Sequence, residues 1–182
     1  MAHVMYSGKM VSDQIDAYLT NGVADAPLYD GTLVTLGNLV ADTTYAATGD
    51  VQYDLYEATA AAAGTEVDGI IDYAGISEGE INGNQYKMGD KLYNLQVPAG
   101  TNFRVRRLNL HDKFWLGESA FGNNAPTVEG HAAVGTVAGE LAPLADGQEF
   151  PEGLIVKILA VKDLTTGMRA QGKVYFVEVV QL

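Results

Sequence analysis

The chain has 182 residues and carries 23 acidic against 11 basic side chains, a net charge of −12, so bare nucleic acid repels it and direct DNA packaging or transcription is disfavoured. Cysteine is absent, which removes disulfides, thiolate nucleophiles and cysteine-based metal sites together. No apolar run approaches the ~20 residues of a membrane helix, so we expect a soluble chain made in the cytoplasm, with no membrane and no direct nucleic acid among its partners.

In chain order, residues 1–27 differ in pattern from the remainder of the sequence. Val11, Ile15, Tyr18 and Leu19 fall at helical spacing, Ser12 suits an N-cap with Asp13 in the first turn, and Asn21-Gly22 suits a stop. The pattern predicts a short amphipathic helix over 12–20. It lies in an N-terminal arm of residues 1–30, ahead of a β-rich domain over 31–182. Such a helix either packs on its own domain or orders against a partner.

From Thr32 the signal is β. TLVTLGNLV (32–40) reads as a strand interrupted at Gly37, VQYDLYEAT (51–59) alternates Val51, Tyr53 and Leu55, and VDGIIDYAGI (67–76) is a third strand with glycines at a bend. Asn82-Gly83 is a hairpin cue. Residues 93–97 and 103–110 flank Pro98-Ala99-Gly100, where proline fixes φ and glycine permits φ > 0, and are predicted to pair as a hairpin. Phe103 and Val105 share one face while Leu108 and Leu110 share the other, which predicts a bulge near Arg106-Arg107.

Residues 116–135 read as a Gly- and Asn-rich loop, followed by short strand or turn pieces at 134–138 and 141–144. GLIVKILAVK (153–162) is almost continuously apolar, as in a strand buried on both faces, and KVYFVEVVQL (173–182) is its antiparallel partner across a ten-residue loop. The sum is a mainly β fold, an antiparallel β-sandwich or small barrel with one short N-terminal helix.

Reaction chemistry is hard to find in this pattern. His3, His111 and His131 have no metal-ligand spacing, Ser119 lacks a nucleophile-elbow frame, and the glycines form no phosphate cradle. His111-Asp112 offers an acid–base pair or a turn. Asp68, Asp72, Glu78 and Glu80 offer paired carboxylates or solvated loop edges. Gln85, Tyr86, Tyr93 and Trp115 offer a sugar platform or ordinary packing. No catalytic residue, cofactor or metal is therefore expected. Arg104, Arg106 and Arg107, extended by Lys113, are a basic concentration in an acidic chain: either a docking edge for carboxylates or a neutralising set for neighbouring acidic strands.

YKMGD (86–90), PAGTNFRVRRL (98–108) and DKFWLGE (112–118), in a chain that begins its β pattern with GTLVTLGNL and ends in a hairpin, resemble the head decoration or cement proteins of tailed bacteriophages. The resemblance covers residues 31–182. It implies a non-enzymatic homo-oligomer, most often a trimer, on the capsid exterior of the virion. The major capsid protein would be its partner, and bridging neighbouring capsomers would stabilise the head. With that reading go two candidate docking sets: Arg104, Arg106, Arg107 and Lys113 on the edge, and Val11, Ile15, Tyr18 and Leu19 on the arm. The alternatives are a head fibre or tail-associated structural protein, or a carbohydrate-binding β module.

Overall fold

The C-terminal hairpin forms the spine of a six-stranded sheet, and a small closed barrel is packed against that sheet. The computed structural model describes residues 5–41, 51–73, 96–126, 129–166 and 169–182. Its first eight strands are β1 (Met5–Lys9), β2 (Leu19–Val23), β3 (Leu28–Tyr29), β4 (Leu33–Ala41), β5 (Val51–Ala60), β6 (Gly69–Asp72), β7 (Gln96–Val97) and β8 (Phe103–Arg107). Beyond them come β9 (Lys113–Gly117), β10 (Gly130–Val134), β11 (Leu141–Pro143), β12 (Ile155–Thr166) and β13 (Arg169–Gln181). The sheet runs β1-β9-β13-β12-β10-β11, the barrel closes as β2-β5-β4-β6-β8, and β3 pairs with β7 alone.

The sheet is antiparallel throughout. On β13, Tyr175, Val177 and Val179 are buried while Phe176, Glu178 and Val180 are half-buried, the period-2 signature of a strand with one face on the core. The near-continuous apolar run at 153–162 is not buried on both faces either: on β12 Lys157 and Lys162 are exposed and Leu159, Ala160 and Val161 are half-buried. The outer face of the sheet is covered in part by Phe176 stacking on Trp115, with ring centroids 4.8 Å apart. At the start of β12 the consecutive residues Ile155 and Val156 are both buried, at a register shift that turns both inward. Pairing continues to Thr166↔Arg169, so the expected ten-residue loop is mostly strand.

Barrel and sheet share a core through strands that are buried on both sides. Val34 and Ile71 point into the barrel with Phe103 and Val105. Their neighbours Leu33 and Ile70 point outward and join Phe114, Leu116, Tyr175 and Val177 from the sheet. Each such side chain stabilises the fold by about 1.5–3 kcal/mol, and together they fix one layer on the other. Gly69 is required at the seam: a Cβ there would lie 2.5 Å from the Arg106 carbonyl oxygen and 2.6 Å from Val105 Cγ1.

Several expectations give way here. The helix over 12–20 is replaced by two 3₁₀ turns, Val11–Asp13 and Asp16–Tyr18, and by β2 from Leu19 onward. The physical reason is competition for the backbone. The N–H groups of Met10 and Val11 donate to the carboxylates of Asp13 and Asp112, and residues 19–23 pair with β8 on one side and β5 on the other. Nor does residue 30 mark a boundary, because β1 is a strand of the sheet and β2 a strand of the barrel.

The turn at Pro98 forms, with Thr101 N–H donating to the Pro98 carbonyl and Gly100 at φ 72°. Yet β7 and β8 do not pair as a hairpin: β7 pairs with β3, and β8 inserts between β2 and β6. The bulge expected at Arg106-Arg107 does not form either, since both residues keep the regular register of β8. The strand ends at Arg107, Leu108 turns into the shared core, and Leu110 is 51% exposed. Within the predicted 116–135 loop, residues Glu118–Phe121 form a 3₁₀ turn and β10 begins at Gly130. The Asn82-Gly83 cue lies outside the described residues.

Candidate functional site

Arg106 illustrates what the structure does with the charges that the sequence offers. Its side chain is 12% exposed. Nε donates to Asp72 Oδ2 at 2.6 Å, and Nη1 donates to Asp13 Oδ1 at 2.7 Å and to Ser12 Oγ at 3.2 Å. The guanidinium fork thus ties the first 3₁₀ turn to barrel strands β6 and β8. Arg104 stands beside the same carboxylate at 3.7 Å and is half exposed. Lys113 lies 3.7 Å from Glu178 on the neighbouring strand. Arg107 differs from all three. Among the described residues no carboxylate lies within ion-pair distance of its guanidinium, whose carbon sits 5.9 Å from the Tyr56 ring centre.

The arm residues are likewise dispersed. Val11, Tyr18 and Leu19 are partly buried and Ile15 is 48% exposed. Tyr18, however, lines a surface depression of ≈ 270 Å³ together with Arg107, Val67, Leu108 and Leu154. One residue from each predicted docking set therefore meets the other at the junction of barrel and sheet.

The candidate acid–base pair separates into two unrelated roles. Asp112 is 1% exposed, and its carboxylate accepts the backbone N–H groups of Val11 at 2.8 Å and Asn109 at 2.9 Å. His111, at φ 69°, turns its ring outward to lie 3.3 Å from Glu178. Asp68 accepts the Leu36 N–H at 2.7 Å, and Asp72 serves Arg106. These groups fasten elements together. Glu78, Glu80, Gln85, Tyr86 and Tyr93 lie outside the described residues. Among the described residues no three His, Asp or Glu side chains converge as a metal site requires.

A second depression of ≈ 210 Å³ holds Asp30, Ser119 and Glu140. Burial pushes the Glu140 carboxyl above its ordinary range. Tyr175 is also raised, by burial first and then by the negative charge of Glu118, and its hydroxyl donates to the Pro126 carbonyl at 3.0 Å. Trp115 is on the outer face of the sheet, stacked on Phe176 and with the Lys162 ammonium 5.1 Å from its ring centre.

Sequence reasoning missed Ser12 and Asp13 as partners of Arg106, since they lie 94 and 93 residues away. Nothing local signals such a contact. The charge balance alone indicated that an arginine cluster in an acidic chain has carboxylates to meet.

Barrel, sheet and internal ion pairs together define a β scaffold whose polar groups hold its own elements in place. Comparisons with protein-family models, with curated proteins and with solved structures returned no match.

Proposed function

We propose that this chain is a non-enzymatic structural protein of a tailed phage. It binds the outer surface of the capsid, as a homo-oligomer with trimer the favoured form, and stabilises the head by bridging capsomers of the major capsid protein. The observation that carries the reading is the inward use of ionic groups: Arg106, Asp72, Asp112 and Asp68 each fasten one strand or turn to another. Such cross-linking suits a stiff scaffold that bears load and transforms no substrate. The resemblance of PAGTNFRVRRL and DKFWLGE to decoration proteins supplies the partner. Its mechanism is mass action: a subunit that binds only the mature lattice stabilises that lattice as its concentration exceeds its dissociation constant.

Cryo-electron microscopy of a particle containing the chain tests this directly. Density on the head exterior at many regular positions is expected. Density confined to the tail, or at a few copies per head, would move the chain to the fibre or tail-associated class.

A second reading has one observation in its favour, the outward Trp115–Phe176 stack beside Lys162, which resembles a sugar-stacking platform. Titration with oligosaccharides while following Trp115 emission decides it, and an unchanged spectrum removes it.

A further inference from the structure

We infer that the depression between barrel and sheet is the docking point, and that it receives an extended segment of a partner polypeptide carrying one carboxylate beside one large apolar side chain. The inference deepens the proposed function, on which it rests, by naming the chemistry of the contact.

Three observations carry it. The lining of the depression includes three apolar side chains anchored in the core, Val67, Leu108 and Leu154, which are 8%, 7% and 2% exposed. Tyr18 and the 53% exposed Leu182 line it too. At ≈ 270 Å³ the space falls below the ~300–1,000 Å³ typical of small-molecule sites, a size suited to one or two side chains.

The third observation is the charge at its wall. In a chain with more than two acids for every base, the Arg107 guanidinium has no carboxylate within ion-pair distance among the described residues. It faces the ring of Tyr56, so its planar fork of N–H donors is left for an incoming acceptor. The two acids that line the same depression do not fill that role. Asp68 is held by the Leu36 N–H, and Glu66 is exposed and, among the described residues, in no ion pair. A carboxylate on Arg107 with its neighbouring apolar side chain on Leu108 and Leu154 satisfies both halves of the surface at once.

The test uses the full chain, isotopically labelled for NMR, titrated with acetyl-Leu-Asp-amide and acetyl-Leu-Asn-amide. Expected are shifts at the Arg107 side chain and at the Leu108, Leu154 and Leu182 methyls, with the aspartyl peptide bound about tenfold more tightly, the worth of one charge-assisted pair. Arg107→Gln should erase the difference while leaving the melting temperature nearly unchanged. Equal binding of the two peptides, perturbation elsewhere, or no perturbation at the solubility limit overturns the inference. Its failure and that of the decoration reading are separable. Heads that retain Arg107→Gln as well as the native chain exclude this docking point and leave decoration standing, whereas heads that retain neither exclude decoration while the peptide titration still decides the groove.

Discussion

Arg106 Nε donates to Asp72 Oδ2 at 2.6 Å, and the two side chains are 12% and 15% exposed. An ion pair this sheltered contributes little over an apolar replacement, but breaking it strands a charge. We expect Arg106→Met to cost about 2–4 kcal/mol in urea unfolding, because both Asp72 and Asp13 lose the guanidinium. Adding Asp72→Leu to it should recover part of that loss. A double variant no more stable than Arg106→Met would show that the pair is not what holds the site.

Asp112→Asn should destabilise by about 1–3 kcal/mol. One carboxylate oxygen becomes an NH₂ that opposes the N–H of Val11 or Asn109. The local signature is faster amide exchange at those two residues. Unchanged exchange there would contradict the bracket between the N-terminal turn and the β8–β9 connection.

Glu140 supplies a pH dependence. Burial raises its carboxyl pKa in the folded chain above the unfolded value of about 4.3, so the folded state binds the proton more tightly. Its contribution to stability is then fully present below pH ~4.3 and is lost as pH rises through the raised folded value. Glu140→Gln should be more stable than the native chain at pH 7 and lose that advantage near pH 4. Melting curves at the two pH values give the sign.

Ile70→Ala should cost about 2–5 kcal/mol, since Ile70 is fully buried between the layers. If the shared core unites the layers, Trp115 emission in the sheet and amide exchange in β5 should still report one transition. Two separate transitions in the native chain would make barrel and sheet independent units.

Arg104→Glu checks the predicted edge. The side chain is half exposed and 3.7 Å from Asp72, so stability should change by well under 1 kcal/mol. Retention on heads by co-sedimentation should stay within about twofold of the native chain if Arg107 carries the docking, and a large loss would restore the broader edge.

Much of the fold was legible because the dominant signals are local. The apolar, β-branched runs at 153–162 and 173–182 announce β12 and β13, and Pro98 with Gly100 announces a turn. What a turn delivers its strand to is not local. Phe103–Arg107 crosses to lie between Leu19–Val23 and Gly69–Asp72, and no pattern within residues 93–110 distinguishes that from a hairpin. The N-terminal error has the same origin. Ser12 and Asp13 have the chemistry of a helix start, yet they are engaged by Arg106, and the parallel pairing of Leu19–Val23 with Val51–Ala60 outweighs helical spacing at Tyr18 and Leu19. Of the candidate docking residues, the sequence offered three arginines but not which of them would lack a carboxylate within ion-pair distance among the described residues.

The strand order also sets a timetable. All five barrel strands end by residue 107, so that unit can close while the rest of the chain is still being made. The sheet cannot, because β13 comes after every other described strand in the chain yet belongs in the middle, between β9 and β12. Until it arrives, β1 and β9 have no link to β12, and the apolar surface of Phe114 and Leu116 waits uncovered on that side. Trimming the chain from this end would therefore remove a keystone where other folds lose only a border.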